Sequence, residues 1–199
     1  EKNAIYSVDE KGNFSAFDIR TGISRFIYNL SREMKVRERI SGIIKFHESY
    51  FVSFTSNGVI AIDPSAKGQY TLSELPVNSG VFCMTKDRFQ DIVWIGTDVQ
   101  GCYIFSKSLF SIKSVVLAPF SIDRPVRALF WDTQRNLWIG TKGNGMMKVE
   151  HYTPDKMFSS FKAERFTTAN SALNSNAVYC FAKSKRNILW MGGDDGLNY

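Results

Sequence analysis

Few side chains in this sequence are spaced for catalysis or for metal binding. Its two histidines, His47 and His151, lie in distant segments. Neither has a second His or a Cys at ligand spacing, so no zinc site and no nucleophile–base pair follows, and both read as loop residues. Cys83, Cys102 and Cys180 cannot all pair with one another and match no zinc pattern. As free thiols they are expected to act as small buried apolar groups. Asp194 and Asp195 are adjacent carboxylates, but they stand between Gly193 and Gly196, where Asp serves a turn through local hydrogen bonds. Gly140, Gly143 and Gly145 imitate a phosphate-binding loop in spacing only. They open a strand, not a helix, so no helix N-terminus is available to an anion. No catalytic residue, metal ligand or cofactor is assigned.

What remains for such a chain is recognition, and the elements that would position a binding surface are legible as a repeat. Val93-Trp94-Ile95-Gly96-Thr97, Leu137-Trp138-Ile139-Gly140-Thr141 and Leu189-Trp190-Met191-Gly192-Gly193 align without gaps. Each is followed by a polar turn and a glycine, Gly101, Gly145 or Gly196, that opens another apolar stretch. Two weaker copies precede them, Ile5-Tyr6-Ser7-Val8 leading to Gly12 and Phe51-Val52-Ser53-Phe54 leading to Gly58. With Ile5, Phe51, Trp94, Trp138 and Trp190 taken as equivalent, the intervals are 46, 43, 44 and 52 residues. That is the period of a four-stranded propeller blade.

Upstream of four of these copies lies a further strand with a small third residue: Gly42, Cys83, Ala128 and Cys180. Innermost strands of a radial array converge on the axis, and crowding there demands small side chains. Downstream comes a fourth burst, at 24–28, 70–72, 112–116 and 161–166, the last alternating as a half-wet outer strand does. Asn57-Gly58 and Asp195-Gly196 suit tight hairpins, and Pro154-Asp155 marks an insertion over 151–160 that lengthens one repeat.

The expected fold is therefore all-β: a β-propeller arc of four-stranded antiparallel blades, about four and a half of them, a fragment of a larger propeller. Its divisions are strands b to d of one blade over 1–30, full blades over 40–77, 81–118 and 126–168, and strands a to c over 177–199. Strand sets at the two ends overlap instead of completing one another, so the missing blades are expected elsewhere in a longer parent. Such an arc exposes apolar blade faces and is expected to self-associate.

A composition of 44% apolar and 14% aromatic residues is ample for a packed core. The net charge of +6 comes from Lys and Arg interleaved with Asp and Glu along the whole length, which gives no patch for nucleic acid. The densest basic stretch, Arg32, Lys35, Arg37 and Arg39, also holds Glu33 and Glu38 and reads as a solvated loop. No apolar run is long enough to span a bilayer, and Glu1-Lys2-Asn3 does not look like the start of a signal peptide.

In propeller geometry a ligand would meet the face made by the b to c turns and the d to a connections. The candidate ligand-binding residues there are Asp98, Gln100, Lys142, Asn144, Asp194, Asp195, Arg124 and Asn174, with Arg127 on an inner strand facing the channel. Trp131 breaks the tryptophan pattern, and ligand contact is weighed against local packing for it. The repeated Trp94, Trp138 and Trp190 are assigned to packing between blades.

The phrases Asn174 to Val178 with Asn187 to Tyr199, and Val126 to Asp132 with Asn136 to Thr141, resemble the two-component regulator propeller repeat. Val81 to Phe105 resembles it less closely, and the first two copies in pattern only; together they cover essentially the whole chain. The glycine usual before the Asn-Leu-Trp core is replaced by Arg135 and Arg186, and Gly193 stands where Thr97 and Thr141 stand. The resemblance implies a periplasmic, ligand-sensing segment of a hybrid two-component sensor histidine kinase, with an oligo- or polysaccharide as ligand and neighbouring blades of the parent as partners. The kinase would lie outside this chain, and this segment would bind no nucleic acid and insert in no membrane. Two other readings stand beside it: a propeller lyase or hydrolase similar to streptogramin lyases, which would need a His and acid cluster, and a plain interaction scaffold.

Overall fold

The computed structural model describes residues 3–65, 69–106, 111–114, 121–150 and 162–199, with 111–114 described by backbone alone. The expected insertion at 151–160, His151, Pro154-Asp155, Phe161 and the strand end at Val115-Val116 lie outside the described residues. The chain divides into two units, Glu1–Gly80 and Val81–Tyr199, and every sheet in both is antiparallel.

In the first unit, β1 (Ala4–Val8), β2 (Asn13–Asp18) and β3 (Ser24–Asn29) form a three-stranded sheet. A helix, α1 (Ser31–Arg37), follows. Then β4 (Ile40–Phe46), β5 (Ser49–Phe54), β6 (Val59–Pro64) and β7 (Tyr70–Glu74) form a four-stranded sheet in chain order. Phe14, Ile27 and Leu30 are buried against Tyr50, Val52, Phe54, Ile60 and Ile62, with Tyr6 and Val8 packed alongside. The Asn57-Gly58 turn has positive φ at both central residues, 57° and 75°, the conformation that matches strand twist in a two-residue hairpin.

Helix α1 corrects the expectation of a solvated loop over the basic stretch. Glu33 sits in its first turn and Lys35 and Arg37 in its last, each on the favourable side of the helix dipole. Arg37 is buried. Its guanidinium donates to the Glu33 carboxylate, to the Asn57 carbonyl and to the Glu74 carboxylate, tying the helix to the β5–β6 turn and to the outer strand. Seven residues are too few to show a helical period, which is why the pattern was invisible in the sequence.

The second unit holds two four-stranded sheets, β8 (Val81–Lys86) to β11 (Ser111–Ser114) and β12 (Val126–Trp131) to β15 (Ala163–Phe166), each in chain order. Between their ends lie β9 (Ile92–Thr97) and β10 (Cys102–Ser106) in the first, and β13 (Leu137–Thr141) and β14 (Met146–Val149) in the second. A last sheet has β16 (Val178–Lys183), β17 (Leu189–Gly193) and β18 (Gly196–Asn198). Ile92, Trp94, Cys102 and Ile104 pack on Val126, Trp131, Leu137, Ile139, Met147 and Val149. Met146, Leu173, Val178 and Met191 form the next core, flanked by Trp138, Phe166 and Phe181.

The Trp-Ile-Gly-Thr repeat has a separate task for each letter. Trp94 Nε1 donates to Asp87 and Trp138 Nε1 to Asp132, both at 3.1 Å, so each ring pins the hairpin that leads into its strand. The glycine removes a Cβ that would stand 2.6 Å from Val126 Cγ1 at Gly96, or 2.7 Å from the Val178 carbonyl oxygen at Gly140. The threonine hydroxyl donates to the glycine carbonyl that closes the following turn, 2.8 Å from Thr97 to Gly101 and 2.8 Å from Thr141 to Gly145. It also accepts from the backbone N–H of Gln100 or Asn144. At the last copy Gly193 has no hydroxyl to give, and a Cβ there would run into the Ala177 carbonyl.

The positions before the core need one adjustment. Left-handed backbone falls at Arg135 (φ 65°) and at Asn187 (φ 66°), so the residue standing for the usual glycine in the last repeat is Asn187 and not Arg186. Asn tolerates that conformation better than most residues. The last hairpin is likewise shifted: Gly193 pairs with Gly196, leaving Asp194-Asp195 as its central pair.

The cysteines differ among themselves. Cys102 is buried and Cys83 half-buried, and burial of the thiol pushes Cys83 up to about 12 and Cys102 higher still. Cys180 is exposed, against the expectation that all three are buried. The Cys83 thiol is covered by the next sheet, 3.7 Å from the Val126 carbonyl oxygen.

Two outcomes follow from this packing. Gly140→Ala should lower the free energy of unfolding by about 1–3 kcal/mol, since backbone must move to admit the methyl group; a denaturant titration of both proteins checks it. A thiol reagent should modify Cys180 in the native protein and reach Cys83 and Cys102 only after unfolding, read by mass spectrometry of tryptic peptides.

Candidate functional site

Each innermost strand carries the same defect at the same place. In β12, Val126 pairs with Thr141 and Ala128 with Gly140, leaving Arg127 as an extra, unpaired residue. The register slips identically around Phe82 in β8, Tyr179 in β16 and Ser41 in β4. Such bulges bend a strand and re-aim one side chain without breaking the sheet. The flanking Val81, Val126 and Val178 are buried, so the bulge residue is the one left to face elsewhere.

In the second unit the re-aimed side chains meet. Arg127 lies over the Phe82 ring with its guanidinium carbon 3.5 Å from the centroid, a close cation–π contact. Its Nε is buried and has no hydrogen-bond partner among the described residues. The Asp194 carboxylate beside the Tyr179 hydroxyl raises the phenol's pKa above its ordinary value, while the charge of Arg127 pulls it down. The sign is that of a donor held by an anion: the contribution is complete below the ordinary tyrosine value and is lost as pH rises through the raised one. An Arg with a fixed plane, a phenol and a carboxylate thus stand together on the side where the turns and connections gather.

The other expected residues lie on turns and connections of this unit in smaller groups. Asn174 donates to the Asp195 carbonyl at 2.7 Å, and its backbone N–H to Asn198 Oδ1 at 3.1 Å. Asn144 donates to the Asp123 carboxylate, next to Arg124, whose chain passes 4.0 Å from the position a Cβ would take on Gly143. Arg124 and Lys142 are exposed. Gln100 accepts from the Tyr103 hydroxyl at 3.1 Å, and Asp98 is half-buried on the same β9–β10 turn. Arg127 and Asp194 are thus brought to one cluster, Asn174 and Asp195 to another, Arg124 and Asn144 to a third.

Trp131 leaves the candidate set. It is buried, with ring centroids 6.0 Å from both Trp94 and Phe89, because β12 turns its end into the interface that Trp94 fills. Gly143 and Gly145 sit in the β13–β14 hairpin, as the strand reading of that glycine run requires. His47 sits at a two-residue β4–β5 turn with φ 53°, its ring 4.6 Å from Phe46.

Phe82 and Tyr179 were missed by reasoning on sequence. Their signal was available: each stands, like Arg127, between a buried valine and a small residue, where a plain alternating strand would face its neighbours across the sheet.

The first unit contains a cavity of about 400 Å³ that sequence patterns do not indicate. Tyr6, Arg25, Lys45 and Tyr50 line it together with Asp18 and Glu48. Arg25 donates to the Tyr50 and Tyr70 hydroxyls at 3.4 Å, and Lys45 lies 5.9 Å from the Tyr50 centroid. It opens toward the β2–β3 and β4–β5 turns, not toward the expected face.

Comparison with known proteins agrees with this architecture. Residues 121–143 match the family described as two component regulator propeller, so β12 and β13 carry that repeat. No curated protein matches the chain. Among solved structures, the extracellular domain of BT3049 from B. thetaiotaomicron, described as a hybrid two component system, superposes with a TM-score of 0.71 at 18% identity, covering 98% of this chain and 24% of that one. The extracellular domain of BT4673 from the same organism gives 0.70 at 19% identity, covering 98% and 25%. The Cps50 (Swd1) β-propeller domain of Myceliophteria thermophila gives 0.65 at 9% identity, covering 97% and 64%. The chain is a β-propeller segment by fold, and it spans about a quarter of the length of the two B. thetaiotaomicron domains.

Asp194→Asn should lower the pKa of Tyr179 by removing the carboxylate that raises it. Ring-carbon NMR of tyrosine-labelled protein across alkaline pH, with Tyr179→Phe to assign the resonance, checks the direction.

Proposed function

We propose that this chain is a ligand-sensing segment of the extracytoplasmic region of a hybrid two-component sensor histidine kinase, and that its ligand is a carbohydrate. The observation that carries the reading is the two component regulator propeller repeat at 121–143, set in a fold similar to extracellular domains of proteins described as hybrid two component systems. Among the described residues no helix is long and apolar enough to cross a membrane, so a signal from this segment would pass through packed domains. The mechanism would be a shift between two arrangements of those domains, biased by contacts that the ligand makes better in one of them.

The polar groups on the turns suit the task. Asp194, Asp195 and Lys142 are exposed donors and acceptors on hairpin turns, and Asn174 and Arg124 are exposed on the connections that lead into β16 and β12.

Calorimetric titration of the parent sensor region and of this chain against a panel of plant and host glycans tests the reading. Binding of one glycan class, lost when the turn residues Asn174 and Asp195 are replaced by alanine in a protein of unchanged thermal melting, is the expected result. Uniform absence of heat across the panel with folded protein would overturn it.

A further inference from the structure

The cluster at the β12 bulge is built for a more specific ligand than a neutral sugar. Arg127 is held flat against Phe82 at 3.5 Å, which fixes the plane of its guanidinium and removes one face from water. Its Nε is buried with no hydrogen-bond partner among the described residues, and no carboxylate forms a salt bridge with it there. A stacked guanidinium of fixed plane presents parallel N–H groups, a geometry that matches the two oxygens of a planar carboxylate. Beside it, Tyr179 and Asp194 follow the paired Val178 and Gly193, close enough for the carboxylate to act on the phenol. Both carry oxygen lone pairs, acceptors suited to hydroxyl donors.

We propose that Arg127, stacked on Phe82, receives the carboxylate of an acidic sugar residue whose ring hydroxyls are taken up by Asp194 and Tyr179. The charge of Asp194 selects among anions. A singly charged carboxylate that also brings hydroxyl donors gains from both partners, whereas a phosphate brings more negative charge toward an aspartate and fewer donors. A neutral sugar of the same shape would leave the Arg127 fork without an acceptor, which is the costlier kind of mismatch in a site made for a polar group. Phe82, Arg127 and Tyr179 occupy equivalent bulge positions on β8, β12 and β16, so one side chain per sheet sets the chemistry while the sheets stay the same.

The inference rests on the carbohydrate reading for the sugar, and on the cluster itself for the acid. Isothermal titration of the folded chain with a galacturonate trisaccharide, and with the galactose trisaccharide of the same linkage, separates the two. The acidic trisaccharide should bind about tenfold or more tightly than the neutral one. Arg127→Gln should bring it down to the neutral level, Arg127→Lys should recover part of the loss, and Arg186→Gln, on the exposed β16–β17 turn, should leave it unchanged. Thermal melting and circular dichroism establish that each variant is folded, and the Tyr179 ring resonance should shift with the acidic sugar in wild type but not in Arg127→Gln. Equal affinity for both trisaccharides, or an Arg127→Gln variant that binds the acidic one as wild type does, overturns the acidic-sugar site and leaves the carbohydrate reading standing. Failure of the folded wild type to bind the acidic trisaccharide also overturns this site, while the glycan panel alone judges the broader reading.

Discussion

A missing methyl group governs how these sheets stack. At Gly96 and Gly140 the strand of one sheet comes so near the innermost strand of the next that a Cβ would meet Val126 or the Val178 backbone. Close approach lets Trp94, two residues before Gly96, pack on Trp131 of the next sheet, and Trp138, two residues before Gly140, pack on the core around Val178, excluding water. Burial of that apolar surface is the main favourable contribution, at roughly 25 cal/mol per Å², and it is available only if the backbones are allowed to touch. The repeat is therefore less a code for strands than a code for spacing between sheets.

Local polar devices then hold each sheet to a shape the stacking can use. Asp87 and Asp132 accept from backbone N–H groups of their hairpins and from the indole of the next strand, so one carboxylate joins turn to core. Their environments pull in opposite directions. Burial dominates at Asp87 and raises its pKa, whereas at Asp132 burial also raises it but is outweighed by bonds from the Asn136 backbone and side chain, Trp138 and Gln134, leaving it lowered. In the last sheet Ser184 takes the place of the aspartate and accepts from Arg186 and Ile188, a weaker version of the same turn.

Rigidity of this kind explains why function can sit on single positions. The bulge in each innermost strand leaves one residue outside the pairing, so its identity is not set by the ladder. Serine, phenylalanine, arginine and tyrosine all occupy it, in β4, β8, β12 and β16. In the proposed site the scaffold contributes position, and the bulge residue contributes chemistry. The exposed turn residues add donors and acceptors around that point with little effect on the core.

The strands, their order within each sheet and the blade period were legible in the sequence because each rests on short-range pattern: a large residue, then a small one, then a turn glycine that can adopt positive φ. Asn57-Gly58 announced its hairpin for the same reason. Helix α1 was not legible, since seven residues carry no helical period and its stability comes from Arg37 reaching Asn57 and Glu74, residues far along the chain. Nor could sequence decide that Trp131 is core while Arg127 faces a neighbouring sheet's Phe82, or that Cys102 is buried and Cys180 exposed. Those outcomes depend on which sheet lies alongside and on a bulge that changes register by one residue. Alternation along a strand says which residues share a face; only the packed sheets say what that face meets.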